Sequence, residues 1–183
     1  MTDTIRYKTL VLGDASVGKS CLMHRICRGK FNDAYSPTVA VDFDILKAPG
    51  KYFDTVFNIY DVSGHQEFIH KRQSYYSKAD MIWLVYDMTM PDSLKSLAAW
   101  CREAKENVDD GCKFIVIENK VENRLMKVDL EDDRKVSREE GRIVSKLMEA
   151  DFVGTSARTG DGLKELIDAT LERCYYSRLK VVK

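Results

Sequence analysis

Residues Gly13-Asp14-Ala15-Ser16-Val17-Gly18-Lys19-Ser20 have the spacing G-x-x-x-x-G-K-S. The apolar residues 9–12 precede this stretch and a helical pattern follows it as far as Arg28, which predicts a strand, a loop and a helix. The N–H groups of such a loop and the helix N-terminus form a concave anion site, in which Lys19 can neutralise outer phosphates and Ser20 can ligate Mg²⁺. The alternative is a glycine turn that only packs a helix on a sheet. The predicted phosphate contacts are Ala15, Ser16, Val17, Gly18, Lys19, Ser20 and Cys21.

The rest of the chain alternates between strand and helix patterns. Strands are predicted at 9–12, 41–46, 52–60, 81–86, 114–117 and 152–155, and helices at 20–28, 94–108, 138–149 and 163–174. The second and third strands form a hairpin with its turn at 48–51, and Asp92 or Ser93 is the expected cap of the second helix. This order predicts one α/β domain over residues 1–183, with a doubly wound, mostly parallel, six-stranded sheet flanked by helices. Ligands are expected at the carboxyl ends of the strands.

Composition excludes several classes of protein. The chain has 183 residues, with 29 basic and 29 acidic side chains, so its formal charge of zero gives no basic field for nucleic acid. Its longest apolar run, 81–86, is far shorter than the ~20 residues that cross a bilayer. Five cysteines without a C-x-x-C pair indicate neither a disulfide framework nor a zinc site. We expect a cytoplasmic monomer.

Further motifs identify a family resemblance. They are Phe31, Tyr35, Pro37 and Thr38 before the second strand, Asp61-Val62-Ser63-Gly64 after the third, the pair Tyr75-Tyr76, Asn119-Lys120 after the fifth, and Ser156-Ala157-Arg158 before the last helix. With these motifs the chain resembles the small Ras-like GTPases, and among them the Rab branch, over nearly its whole length. The resemblance implies a P-loop NTPase fold of the small G-domain type.

The resemblance also implies a role for each motif. GTP and GDP would be substrate and product, with Mg²⁺ held by Ser20 and Thr38 and, through water, by Asp61. The N–H of Gly64 would contact the γ-phosphate, and Tyr35 would close over the phosphates. The residues beside the base would be Phe31, Asn119, Lys120, Ser156, Ala157 and Arg158. Exchange factors, GTPase-activating proteins and effectors would bind the two nucleotide-sensing segments, switch I (residues 31–40) and switch II (residues 61–76), in a role in vesicular trafficking.

Three positions near the phosphates depart from the family pattern. His65 replaces the glutamine that orients the attacking water, and an imidazole cannot accept and donate as an amide does, so we expect slow hydrolysis with Lys19 and Gly64 as the other catalytic groups. The alternative is that His65 only points into solvent. Ser16 and Ala40 stand where glycine is common in the family. Ser16 adds a Cβ where the backbone closely approaches the phosphates, and Ala40 is expected to stiffen switch I.

The base-reading motif departs as well. The family reads guanine with N-K-x-D, whereas this chain has Asn119-Lys120-Val121-Glu122. Either Glu122 reads the base with a carboxylate one methylene too long, or residues 122–128 are a loop insertion after which Asp129 returns to the base. Both alternatives predict weaker guanine binding.

The carboxyl-terminal end lacks a prenylation signal. Membrane association, peripheral to endomembranes, would therefore need a part that this chain does not contain. The departures together support a second hypothesis, a pseudo-GTPase that serves as an interaction module with weak nucleotide binding or no turnover.

Overall fold

The computed structural model describes residues 4–31, 38–49, 54–120 and 134–179. The strands in these ranges are β1 (Thr4–Leu12), β2 (Val41–Pro49), β3 (Asp54–Val62), β4 (Met81–Asp87), β5 (Lys113–Asn119) and β6 (Asp151–Gly154). The helices are α1 (Lys19–Arg28), α2 (Ile69–Tyr76), α3 (Pro91–Asn107), α4 (Arg138–Leu147) and α5 (Leu163–Leu179), and a 3-10 turn (Gln66–Phe68) precedes α2.

The strands form one sheet in the order β2-β3-β1-β4-β5-β6. Only β2 pairs antiparallel, with β3, and the other four pairings are parallel. Val11 pairs with Asp61, and Asp87 pairs with Asn119, so polar residues end adjacent strands at the same edge of the sheet. The predicted α/β fold with its six-stranded, mostly parallel sheet is confirmed.

The core lies on both faces of the sheet, because every residue of β4 is buried. One cluster contains Trp83 together with Leu22 of α1 and Leu166 of α5. The other contains Leu84 with Leu97 of α3. Strands covered on both faces have continuous apolar sequences, and this property made β4 and β5 predictable.

Three local predictions were wrong or incomplete. Ala48 and Pro49, which were expected in the turn at 48–51, instead belong to β2 and pair with β3. Pro49 is tolerated there since β2 is an edge strand. Helix α3 has Met90 at its N-cap position without a side-chain cap, because Pro91 already supplies the first-turn φ angle. Helix α2 was not predicted. No helix in the described ranges is both long and apolar enough to cross a membrane.

Candidate functional site

The phosphate loop connects β1 to α1 at the carboxyl edge of the sheet. Helix α1 begins at Lys19, and the N–H of Leu22 donates to the carbonyl of Gly18 at 2.9 Å. Gly18 has a φ of 95°, and a Cβ there would collide with the Asn119 amide. A glycine is therefore required at this position both for its backbone conformation and for the close approach of β5. The loop exposes Ser16 and half-buries Ala15, Ser20 and Cys21.

Three oxygen-bearing side chains from separate elements meet beside this loop. The hydroxyls of Ser20 and Thr38 lie 2.9 Å apart, and both are hydrogen-bonded to Oδ2 of Asp61, with the Thr38 distance 3.1 Å. Oδ1 of Asp61 is buried and has no hydrogen-bond partner among the described residues. An oxygen-only donor set with one orphaned carboxylate oxygen fits a hard cation such as Mg²⁺.

The two buried charges of this cluster influence each other. Burial raises the pKa of the Asp61 carboxyl, although Lys19 and the hydroxyls of Ser20 and Thr38 act in the opposite direction. Burial also lowers the pKa of Lys19, against the attraction of Asp61. The Lys19 ammonium donates to the carbonyls of Gly13 at 2.9 Å and Asp14 at 2.7 Å. The phosphate loop therefore holds the lysine against its own backbone.

Switch II starts where β3 ends and lies directly on the phosphate loop. A Cβ at Gly64 would be 2.5 Å from the backbone nitrogen of Ala15, so only glycine permits this contact. The side chain of the neighbouring His65 is exposed. Its carbonyl accepts hydrogen bonds from the N–H of Phe68 at 3.2 Å and from Nη1 of Arg72 at 3.2 Å. The backbone of His65 is thus fixed from the α2 side while its imidazole faces solvent.

Asn119 connects the phosphate loop to the loops after β5 and β6. Its Nδ2 donates to the carbonyl of Val17 at 2.8 Å, and the Thr155 hydroxyl is 3.3 Å from its Oδ1. Ser156 and Ala157 are buried directly after Thr155. The structure therefore brings these predicted base contacts to the same edge of the sheet as the phosphate loop.

Other predicted base residues lie further out or outside the described residues. Phe31 is half-buried against the α1 and α5 side of the core, and Arg158 is exposed. Tyr35, Glu122 and Asp129 fall outside the described residues, as does the predicted insertion.

Two ionic contacts around the base loop were missed by the sequence analysis. Lys120, with a φ of 68°, forms an ion pair with the buried Asp87. A polar residue that ends an apolar strand at the ligand edge is a signal that could have identified Asp87. Buried Glu118 receives hydrogen bonds from Arg134 at 2.8 Å and Arg138 at 3.3 Å. No local pattern reveals this second cluster, because its members are joined only by the tertiary fold.

Comparisons with known proteins show the family to which the chain belongs. The family model for the Ras family matches residues 8–176. DnaJ homolog subfamily C member 27-B of Xenopus laevis is 33% identical over 173 residues, which cover 90% of this chain and 60% of the relative. DnaJ homolog subfamily C member 27 of Gallus gallus and that of Homo sapiens are each 31% identical over 168 residues, which cover 89% of this chain and 59% of the relative. The chain therefore spans about three fifths of the length of these curated relatives.

Proposed function

The chain belongs to the Ras family, and from this membership we propose that it is a guanine-nucleotide switch that binds GTP or GDP with Mg²⁺ and hydrolyses GTP slowly. The observation that carries the proposal is the meeting of Ser20, Thr38 and Asp61 beside the buried Lys19. Each of these residues comes from a different segment, so a bound nucleotide and cation would connect α1, switch I and β3.

The residues of the site have distinct tasks in this proposal. Ser20, Thr38 and Asp61 would hold Mg²⁺, which when bound neutralises charge on the phosphate oxygens. Lys19 would leave the loop carbonyls to pair with the outer phosphates, and the loop N–H groups would bind the remaining oxygens. The N–H of Gly64 would donate to the γ-phosphate, and this contact would report its presence to switch II.

His65 is the reason for proposing slow turnover. A water-positioning residue must accept from the water and donate toward the transferred phosphate at the same time. A neutral imidazole can do both only through opposite sides of its ring, and the His65 ring is exposed to solvent. The remaining stabilisation would come from Lys19, Gly64 and the loop.

The partner surface that we propose is an apolar patch formed by β2 and the switches. Val39 is 76% exposed, Phe43 43% and Ile45 41%. The Phe43 ring packs at a tilt against that of Tyr60, with centroids 4.9 Å apart, and the centroids of Tyr60 and Tyr75 are 5.6 Å apart. Large apolar side chains left exposed on neighbouring segments are typical of a binding site for another protein. Effectors and regulators, including an exchange factor and a GTPase-activating protein, would bind here.

The cellular role is proposed from the motif resemblance alone. The Rab-like motifs support a switch in vesicle transport, cytoplasmic and peripheral to endomembranes in the full-length protein. The names of the matched relatives, DnaJ homologs, do not include Rab.

A second candidate function is a pseudo-GTPase interaction module. It is favoured by the backbone of Ser16 and Ala40, both of which have positive φ angles of 68° and 64° in or next to the proposed site. Such strain in non-glycine residues disfavours the loop conformation that binds phosphate.

One experiment distinguishes the two functions. The protein is purified in Mg²⁺, denatured, and the released nucleotide is identified by chromatography. We expect stoichiometric guanine nucleotide from the wild type, little from Lys19→Ala, and a wild-type amount from the control Lys47→Ala, whose side chain is exposed on β2. Release of GDP supports turnover or exchange into product, whereas an empty wild-type protein would overturn the switch in favour of the interaction module.

A further inference from the structure

Arg72 of α2 is a charged side chain that the fold buries almost completely, with 4% exposure. Its guanidinium makes a two-point contact with Glu103 of α3, from Nε to Oε1 and from Nη2 to Oε2, both at 2.6 Å. The Tyr76 hydroxyl donates to the same carboxylate at 2.8 Å. A paired, planar contact of this kind fixes the position and the plane of the guanidinium.

The guanidinium has two further contacts. Its carbon lies 4.5 Å from the centre of the Trp100 ring of α3, which places the cation over the aromatic face. Its Nη1 donates to the carbonyl of His65 at 3.2 Å. The side chain that joins α2 to α3 therefore also holds the backbone of the residue that follows Gly64.

Trp100 continues this contact chain to the phosphate loop. Its indole N–H donates to Oδ1 of Asp14 at 2.8 Å. The backbone carbonyl of Asp14 in turn accepts from the Lys19 ammonium at 2.7 Å. Burial lowers the pKa of Lys19, the Asp14 carboxylate acts to raise it and the Arg72 guanidinium acts to lower it further. Both ends of this contact chain therefore lie within electrostatic range of Lys19.

An ion pair that only stabilised the packing of α2 on α3 would need Arg72 and Glu103 alone. It would need neither a donor directed at a switch II carbonyl nor an indole bonded to the phosphate loop. Hydrogen-bonded side chains that can adopt two discrete arrangements are a physical means of coupling separate segments, here switch II, α3 and the phosphate loop.

We propose that Arg72 is a positioning residue that sets the backbone of Gly64 and His65, and that Trp100 couples it to the phosphate loop, so that α3 senses the bound nucleotide. This inference rests on the proposed guanine-nucleotide switch. When a γ-phosphate draws Lys19 away from the Asp14 carbonyl, the Asp14–Trp100 contact changes, and Arg72 transmits the change to switch II.

The two tryptophans of the chain provide the readout. Trp83 is fully buried in β4 and donates to the Thr170 hydroxyl of α5 at 3.1 Å, outside the contacts that join Arg72, Trp100 and Asp14, so it serves as an internal control. The protein is labelled with 5-fluorotryptophan, and ¹⁹F NMR spectra are recorded with GDP·Mg²⁺ and with a non-hydrolysable GTP analogue. We expect the Trp100 resonance to differ between the two nucleotides and the Trp83 resonance to stay in place.

Variants then separate positioning from packing. In Arg72→Gln we expect the difference in the Trp100 chemical shift between the two nucleotides to fall below half of its wild-type value. We also expect single-turnover GTP hydrolysis to slow by about tenfold. Arg102→Gln, at an exposed arginine of α3 outside both switches, should behave as the wild type. If Arg72→Gln does not fold, Trp100→Phe replaces it in the hydrolysis assay, since phenylalanine keeps a ring under Arg72 and removes only the indole N–H. We expect a slower rate there too.

The outcomes are distinct. A Trp100 resonance that is identical with both nucleotides would overturn the inference, and so would variants that hydrolyse GTP at the wild-type rate. In either case, a protein that still binds guanine nucleotide would leave the proposed function intact. A protein that binds neither nucleotide would overturn the proposed function, and this inference with it.

Discussion

Ser16 and Ala40 adopt the left-handed backbone conformation, with φ angles of 68° and 64°. Ala40 also accepts a hydrogen bond from the N–H of Ser63 at 2.9 Å, so switch I is attached to the end of β3 at a strained residue. The strain of a non-glycine residue in this region is about 1–2 kcal/mol.

Replacement of either residue by glycine should remove this strain. We expect Ala40→Gly and Ser16→Gly each to raise the free energy of unfolding by up to about 1 kcal/mol. The gain is smaller than the strain that is removed, because glycine has more conformational freedom in the unfolded chain. Urea unfolding measures the change. The matched control is Ala99→Gly, an exposed interior position of α3, which should lose about 1 kcal/mol. Loss of stability in all three variants would contradict the argument.

His65 gives the second prediction at the scale of one residue. A glutamine amide can accept from water and donate at once, so His65→Gln should speed single-turnover GTP hydrolysis by about tenfold or more. His70→Gln, an exposed histidine on α2, should leave the rate unchanged. An unchanged or slower rate in His65→Gln would mean that the imidazole does not limit turnover.

At the scale of elements, the contact between α2 and α3 depends on pH. Burial alone raises the pKa of Glu103, but hydrogen bonds from Arg72 and Tyr76 outweigh it and hold the pKa below the usual value. A carboxyl with a lowered native pKa adds stability above its unfolded value of about 4.3, and this contribution is lost as the pH falls through the native pKa.

Glu103→Gln should therefore be destabilised by about 1–3 kcal/mol near neutral pH, since hydrogen bonds to a charged group are lost. The difference from the wild type should shrink when urea unfolding is repeated at about pH 4 and below. Glu106→Gln, exposed on the same helix, should differ little from the wild type at either pH. A constant difference for Glu103→Gln across the pH range would exclude the ionised pair as the cause.

The described residues that flank 121–133 both contact the end of β4. Lys120 pairs with Asp87, and the N–H groups of Lys135 and Val136 donate to the carbonyl of Met88 at 3.1 and 3.0 Å. The described residues on either side of 121–133, the stretch that contains Glu122 and Asp129, therefore lie close together at the end of β4.

Only one of these two carboxylates can occupy the two-point position on guanine. We expect either Glu122→Ala or Asp129→Ala to weaken GDP binding by about tenfold or more, and the other to stay close to the wild type. Asn123→Ala is the control from the same segment, and a fluorescent GDP analogue gives the dissociation constants. Equal effects in both variants would mean that neither carboxylate reads the base alone.

The sequence predicted the elements whose pattern is local. The continuous apolar runs of β4 and β5 and the phosphate-loop spacing suffice for the fold and for the position of Lys19 and Ser20. The segment Ile69–Tyr76 has no apolar stripe, so α2 was missed. The contacts of Arg72 with Glu103 and Trp100 arise only when α2 meets α3, and no spacing within one segment encodes them.

At the scale of the whole molecule, the proposed nucleotide would join the ends of β1, β3, β5 and β6 at one edge of the sheet. This edge holds the buried charges of Lys19 and Asp61, and Oδ1 of Asp61 has no hydrogen-bond partner within the part of the chain that the structure describes. Buried polar groups without full partners reduce stability, so the ligand should stabilise the entire fold.

Removal of GDP and Mg²⁺ by chelation and phosphatase should therefore lower the melting temperature. A ligand at about 100 times its dissociation constant adds about 2.7 kcal/mol to the native state. For a domain of this size, each kcal/mol corresponds to about 2–4 °C, so we expect a fall of about 5–10 °C by circular dichroism. Readdition of GDP·Mg²⁺ should restore the melting temperature of the wild-type protein, while ADP·Mg²⁺ should not. The melting temperature of Lys19→Ala should respond to neither nucleotide. Equal recovery with ADP would contradict guanine selectivity, and no fall on removal would mean that the strand ends are held together by the protein alone.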